Sequence, residues 1–322
     1  ELKLILEKKF GQRYLDYRKK YSDYLNKKKT EKTLDYPISA ILELVNRCNL
    51  ECKMCYQGFR NDMEKYTLKE NDLQNLFQEF KKNKLDALLL STSEPLLYKK
   101  FPWIIKLAEE AEIMDIFLFT NGILLNEKNS EIILNSNLTR LFISIDALTE
   151  KTYDKVRIPT NKKILNTDRL NKLEQNVKNF IKKRNKLNRI LPIVRVSFIM
   201  LEDNKHEVDG FVKKWEKIVD SVEIQKENSM NFYNDINHTE NTDFKLDTYS
   251  CSEPWGQVTI HADGTVGPCC NTVGRNTPIG NIRETSLKKI WNGEKMKKIR
   301  EGFLNNKPNK ICQLCLENVT NR

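Results

Sequence analysis

No stretch of this chain is long and apolar enough to cross a membrane. Its best runs, such as residues 87–90, are strand-sized, far below the roughly 18 residues a spanning helix needs. The first nine residues, Glu-Leu-Lys-Leu-Ile-Leu-Glu-Lys-Lys, carry too much charge for the core of a secretory signal. The chain as given does not begin with Met, so a processed leader stays open. The net charge is +11 and the pI about 9.1. Even so, the sequence lacks the Arg-rich stripe interleaved with aromatics that would mark a nucleic-acid groove. Lysines dominate and are spread over helical faces, which reads as solvated surface; an anionic small substrate is the remaining use for the surplus. The expected partners therefore include neither membrane nor nucleic acid.

What the chain does have is cysteine, eight in clusters. Without a secretion signal, clustered thiols read as metal ligands in a reducing, cytoplasmic setting rather than as disulfides. Three of them fall in Cys48-Asn-Leu-Glu-Cys52-Lys-Met-Cys55, directly after the apolar run 41–45. Iron–sulfur clusters are held by cysteine thiolates, four for a fully ligated cubane. A loop of three leaves one iron open, and open metal sites are where chemistry happens. The rival is a structural zinc loop, although zinc knuckles usually pair two C-x2-C steps.

At 322 residues, 39% hydrophobic and 31% charged, the chain can form one large domain and a smaller one. Residues 1–37 read as a basic helical extension, with Phe10, Tyr14, Tyr17, Tyr21 and Tyr24 on one stripe that serves packing. From residue 38 strands and helices alternate. Strands are expected at 41–45, 87–90, 116–119, 140–145, 194–200 and 222–225, and helices at 68–83, 101–111, 127–135, 170–186 and 207–218. This is an α/β pattern, a partial (β/α)6 TIM-like barrel over 38–228 with active residues at the C-terminal strand ends. Residues 229–250 turn polar and read as a linker or substrate-covering loop, with His238 left unassigned.

Several motifs fall at those strand ends: Ser91-Thr92-Ser93-Glu94-Pro95, Phe119-Thr120-Asn121-Gly122, and Ile143-Ser144-Ile145-Asp146 with Arg157 beyond it. Each alone could be an ordinary turn or a surface ion pair. Together with the C-x3-C-x2-C loop, they resemble the radical SAM superfamily. That resemblance implies a 4Fe–4S cluster on Cys48, Cys52 and Cys55 whose open iron takes S-adenosylmethionine and yields a 5′-deoxyadenosyl radical. It also implies cofactor contacts from Met54, Ser93, Glu94, Asn121, Ser144 and Arg157. The sequence departs from the family at Met54, where an aromatic is common, and at Thr92 and Ser93, which replace two glycines.

A second constellation follows. Cys251 precedes a hairpin (258–261, then Asp263-Gly264) that runs into Cys269-Cys270, and a helix over 287–299 leads to Cys312-Gln-Leu-Cys315. The Asp-Gly turn is a strong hairpin signal. Four thiolates can converge here on a cluster or on zinc. The region 251–322 resembles the twitch form of the SPASM module, which implies an auxiliary 4Fe–4S cluster on Cys251, Cys269, Cys312 and Cys315, with Cys270 spare.

The resemblance points to an oxidoreductase. The leading reading is dehydrogenation of a carbohydrate- or cyclitol-like small molecule, with the auxiliary cluster as electron acceptor and a flavodoxin- or ferredoxin-type reductant. Related enzymes of this layout include an aminocyclitol dehydrogenase. The alternative is peptide or protein modification by crosslinking or epimerisation, or sugar epimerisation with Cys270 as hydrogen donor. The shortness of the N-terminal segment, compared with the winged domain of many peptide-modifying relatives, counts against a peptide substrate. Asp146, Arg195 and Glu223 stand as candidates for the base.

Overall fold

A computed structural model describes residues 2–25, 33–56, 64–165, 167–227, 251–270 and 275–320. The linker at 229–250, with His238, lies outside the described residues. Nine strands form one sheet in the order β6-β5-β4-β3-β2-β1-β7-β8-β9. β1 (Ser39–Leu42), β2 (Ala87–Leu90), β3 (Asp115–Thr120), β4 (Arg140–Ser144), β5 (Ile193–Met200) and β6 (Ser221–Lys226) are all parallel, linked by crossover helices in the manner of a partial barrel. β7 (Gln257–Ile260) joins the far side of β1 in parallel, and β8 (Thr265–Gly267) and β9 (Gly280–Asn281) add antiparallel pairs. The C-terminal hairpin thus extends the barrel's sheet.

The strands alternate sharply. Ile116, Leu118, Leu141, Ile143, Val194, Val196 and Phe198 are fully buried under the helices; Phe198 meets Phe211 of the covering helix Val208–Trp215, ring centroids 4.9 Å apart. Their neighbours Phe117, Phe119, Arg195 and Glu223 point the other way and stay partly open, as period-2 geometry requires. Helices follow the period of 3.6: in Glu70–Asn83, Leu73, Leu76, Phe77 and Phe80 make one buried stripe. Acidic residues open that helix and lysines close it, in line with the helix dipole.

The N-terminal extension forms α1 (Leu2–Phe10) and α2 (Gln12–Leu25), separated by Gly11 at φ +54°. α2 lies across the N-terminal ends of the strands. Tyr17 Oη donates to Asp115 at the start of β3 (3.1 Å), Lys20 Nζ to Asp86 just before β2 (2.9 Å), and Tyr24 Oη to Glu253 just before β7 (2.8 Å). Tyr14, Tyr17, Tyr21 and Tyr24 follow one another along this contact, the first pair T-shaped and the next two tilted, with successive centroids 5.8–6.2 Å apart.

Some expected boundaries move. The first strand ends at Leu42; Leu44 and Val45 stay buried but leave the ladder, and Val45 bridges Thr67 instead. The helix expected over 287–299 breaks into Leu287–Trp291 and Glu294–Leu304 at Asn292-Gly293, where Gly293 is extended (ψ 163°). Cys312 and Cys315 sit inside a further helix, Lys310–Thr320. Among the described residues no helix is long and apolar enough to cross a membrane.

Gly256 packs flat on Tyr24, so that a β-carbon there would lie 2.3–2.8 Å from three ring atoms. Overpacking of this kind costs about 1–3 kcal/mol. Gly256→Ala should lower unfolding stability by that amount in denaturant titrations.

Candidate active site and auxiliary cavity

The cysteine loop follows β1 and is fixed from outside. Glu51 N donates to Ile158 O (2.7 Å), Lys53 N to Val156 O (3.0 Å) and Thr160 N to Asn49 O (3.1 Å), so the segment after Glu150–Val156 straps the loop down. Cys52 is buried, while Cys48 and Cys55 are half-buried. Burial pushes the Cys48 thiol up to about 12 and also raises Cys52, against which Arg157 pulls in the other direction. Thiolates in such a place need positive charge beside them, which is what a cluster's iron would bring.

Arg157 brings some already. Its Nη1 donates to Cys52 Sγ (3.3 Å) and its Nη2 pairs with Asp146. Both partners of that ion pair are buried, so the surface-pair alternative does not hold. Asp146, at φ +62°, also accepts from Ile199 N (2.7 Å). Fully buried and doubly engaged, it is unavailable as a general base. Arg195 and Glu223 pair with each other at 2.8 Å, on the strands rather than at their ends.

Glu94 turns inward. One carboxylate oxygen accepts from Thr120 Oγ1 (2.8 Å) and Leu96 N (3.2 Å), the other from Asn121 N (2.9 Å), while burial raises its pKa to about 7. Asn121 Nδ2 then donates to Asn49 Oδ1 (2.7 Å) and Cys48 Sγ (3.6 Å). Both residues support the cysteine loop from below. Ser197 Oγ donates to Ser144 Oγ (3.4 Å), and Met54 is packed into the core. Thr92, standing where the resemblance expects glycine, keeps a glycine-like φ of +77°, a costly state for a β-branched residue. Tyr56 Oη donates to its carbonyl (3.3 Å).

The sequence reading missed Glu43. It is fully buried between the cysteine loop, the turn after β2 and the C-terminal hairpin. Its carboxylate accepts from Tyr56 Oη (3.3 Å), Ser93 Oγ (3.3 Å) and Ala262 N (3.0 Å), pairs with Arg275, and lies 3.5 Å from His261 Nδ1. Burial pushes its pKa up, but His261, Arg275 and the Ala262 N–H outweigh that and hold it at about 2. A carboxylate inside the run Ala-Ile-Leu-Glu-Leu-Val was the available signal, since buried Glu is almost always paired.

At the other end of β7, Cys251, Cys269, Cys312 and Cys315 line one apolar cavity with Pro254 and Phe303. Burial pushes Cys251 up to about 12 and Cys312 up to about 11. Among the described residues no three His, Cys, Asp or Glu side chains are gathered for a single metal ion; a cubane is wider than an ion and spreads its ligands. The donor set fits a fully thiolate-ligated cluster. Cys270 is exposed and sits beside Glu253 near the start of β7. It lies at the opposite end of the strands from the three-cysteine loop.

Comparison with known proteins agrees with this architecture. The radical SAM superfamily profile matches residues 42–214, just over half the chain, and SPASM, an iron–sulfur cluster-binding domain, matches 251–316. A probable GTP 3′,8-cyclase of Methanococcus maripaludis strain C5 is 30% identical over 120 residues, 37% of this chain and 40% of that protein. The likeness therefore spans less than half of that relative. Among solved structures, Streptococcus suis SuiB bound to S-adenosylmethionine aligns with TM-score 0.64 at 16% identity, covering 95% of this chain and 76% of that one. BtrN in complex with AdoMet and 2-DOIA aligns with TM-score 0.52 at 14% identity, covering 85% and 88%. At such identities the structural likeness concerns the fold alone.

Two outcomes are expected. In reconstituted protein, Cys269→Ser should lower bound iron by about half, whereas Cys270→Ser leaves it unchanged; iron and sulfide assays decide. Glu43 has a folded pKa near 2 against 4.5 unperturbed, so its contribution is complete above pH 4.5 and fades as pH falls toward 2. The stability gap between wild type and Glu43→Gln, on the order of 3 kcal/mol, should close over that window in acid-unfolding curves.

Proposed function

The chain belongs to the radical SAM superfamily, whose cofactors are a 4Fe–4S cluster and S-adenosylmethionine, and on that premise we propose that it dehydrogenates an alcohol carbon of a small polar molecule. One observation carries this reading: four thiols share a single apolar cavity at the far end of β7. A cluster held by four thiolates keeps no corner for substrate, which suits it to electron transfer.

Cys48, Cys52 and Cys55 would hold the first cluster, and Cys251, Cys269, Cys312 and Cys315 the second. When bound, these groups supply a hydrogen-abstracting 5′-deoxyadenosyl radical at one end of the sheet and a one-electron acceptor at the other. Dehydrogenation of a carbinol removes a hydrogen atom from carbon, one electron and the hydroxyl proton and leaves a carbonyl; the bound groups would accept the hydrogen atom and the electron, and water the proton. A flavodoxin- or ferredoxin-type protein is the proposed reductant for starting each turnover. Arg157 places a fixed positive charge on Cys52 Sγ, and Glu94 and Asn121 hold the other side of the loop. The turn at Ser91–Ser93 and Ser144 at its strand end are the proposed contacts to S-adenosylmethionine, with Met54 beside its adenine. The likeness to BtrN, solved with 2-DOIA, accords with a small-molecule substrate.

The test is anaerobic turnover of reduced, reconstituted protein with S-adenosylmethionine and sugars or cyclitols deuterated at each carbinol carbon. The expected result is deuterium in 5′-deoxyadenosine with a matching amount of ketone. In Cys312→Ala/Cys315→Ala, 5′-deoxyadenosine should persist while ketone falls at least about tenfold, a loss of 1.4 kcal/mol or more in effective barrier terms. Undiminished ketone in that variant, or deuterium arriving only from a peptide, overturns the reading.

A further inference from the structure

The inner face of the sheet carries a patch that neither cofactor site uses. Phe117 and Phe119 stack in parallel, centroids 6.5 Å apart, and Phe142 meets both edge-on at 5.8 and 5.0 Å. Phe142 pairs in register with Arg195, whose guanidinium carbon lies over its ring, 3.6 Å from the centroid. Glu223 of β6 holds Arg195 Nη1 at 2.8 Å; the two side chains remain 24% and 36% exposed. These residues alternate with the fully buried Leu141, Val194 and Val196 and so face away from the helices. Ser144, the last residue of β4, and Ser197 stand two residues further along, which places Phe142 about 7 Å beneath the end of β4 and Arg195 the same distance beneath Ser197.

The charges on this face are balanced. Arg195 is matched by Glu223, and Arg140 is held in a fork by Asp115 through Nε (3.2 Å) and Nη2 (3.0 Å). A phosphate or carboxylate would have to displace a carboxylate already in place, despite the chain's net charge. Among the described residues Arg195 Nε is nevertheless buried without a hydrogen-bond partner, and buried donors are seldom left so. An aromatic face beside a guanidinium–carboxylate pair suits a ring with C–H bonds on one side and hydroxyls at its edge: the face covers the ring, Arg donates and Glu accepts.

We propose that the Phe119–Phe142–Arg195–Glu223 patch is the substrate site, and that it takes an unphosphorylated hydroxylated ring of sugar or cyclitol type. This rests on the oxidation reading above and supplies the residues that would hold its substrate. Arg195 and Glu223, candidates for the base from sequence, become binding residues, with the guanidinium and carboxylate spanning neighbouring hydroxyls.

The experiment is saturation-transfer NMR on the reconstituted holoenzyme with S-adenosylmethionine. The probes are a mixed panel of hexoses, aminohexoses and cyclitols, a second panel of their monophosphates, and a set of short peptides. At least one unphosphorylated ring should receive saturation, with affinity falling about tenfold or more in Arg195→Met and in Phe142→Ala. Arg195→Lys, which keeps the charge but not the planar fork, should fail to restore it. Circular dichroism and melting curves confirm that each variant is folded; should Arg195→Met not fold, Glu223→Gln replaces it with the same expected loss. Saturation of phosphates or peptides alone, of no ring at all, or binding indifferent to these substitutions overturns the assignment. A ring that binds here but is never oxidised sinks the dehydrogenase reading and leaves the site standing; ketone formation unaffected by Arg195→Met does the reverse.

Discussion

Four residues of β1 and four of β7 run side by side in one register, Ser39 against Gln257 through Leu42 against Ile260. This pairing makes the C-terminal module part of the barrel's sheet, so the positions of the two cysteine sets follow from strand direction alone. Residues past the C-terminal ends of β1 and β7 reach the three-cysteine loop and the Glu43 cluster. Residues around the N-terminal end of β7 and the returning β8 reach the four-cysteine cavity. Parallel strands are stable only when covered; here the crossover helices cover one face and α2 closes the N-terminal end.

The electrostatics of the loop follow from its burial. Desolvation works against every thiolate and carboxylate in this region, and the fold answers with pairs: Arg157 with Asp146 and Cys52, Arg275 with Glu43. Removing one member of such a pair leaves an uncompensated buried charge. The buried pairs therefore tie the strand ends, the strap at residues 156–160 and the C-terminal hairpin into one unit. The positive φ of Thr92 belongs to the same unit. It marks a turn whose conformation is imposed by surrounding contacts, since its own residue type would not choose it.

The fold was largely legible in the sequence because its signals are local. Apolar strands at regular spacing, amphipathic helices and an Asp-Gly hairpin all state their conformation within a few residues. Boundaries moved where tertiary contacts overruled pattern: Leu44 and Val45 read as strand from apolarity, yet the chain had to leave the ladder to begin the cysteine loop. The cysteines could be sorted into two sets by spacing, and the resemblance singled out Glu94, Asn121 and Arg157, whereas the contacts these three make inside the protein could not be read. Whether a polar side chain at a strand end faces a ligand or a neighbouring loop depends on contacts distant in sequence. Glu43 was passed over for the same reason, its partners lying at 56, 93, 261, 262 and 275. Arg195 and Glu223 were noticed as ionisable groups, and only the sheet register showed that they sit on one face with three phenylalanines.

The shared strand pair also sets a distance. Four residues of extended backbone measure about 13 Å, and the two metal-binding ends lie beyond opposite tips of that span. Among the described residues the ladder between them is continuous. On the proposed reading, the span an electron crosses from the reacting carbon to the second cluster would be set by this ladder.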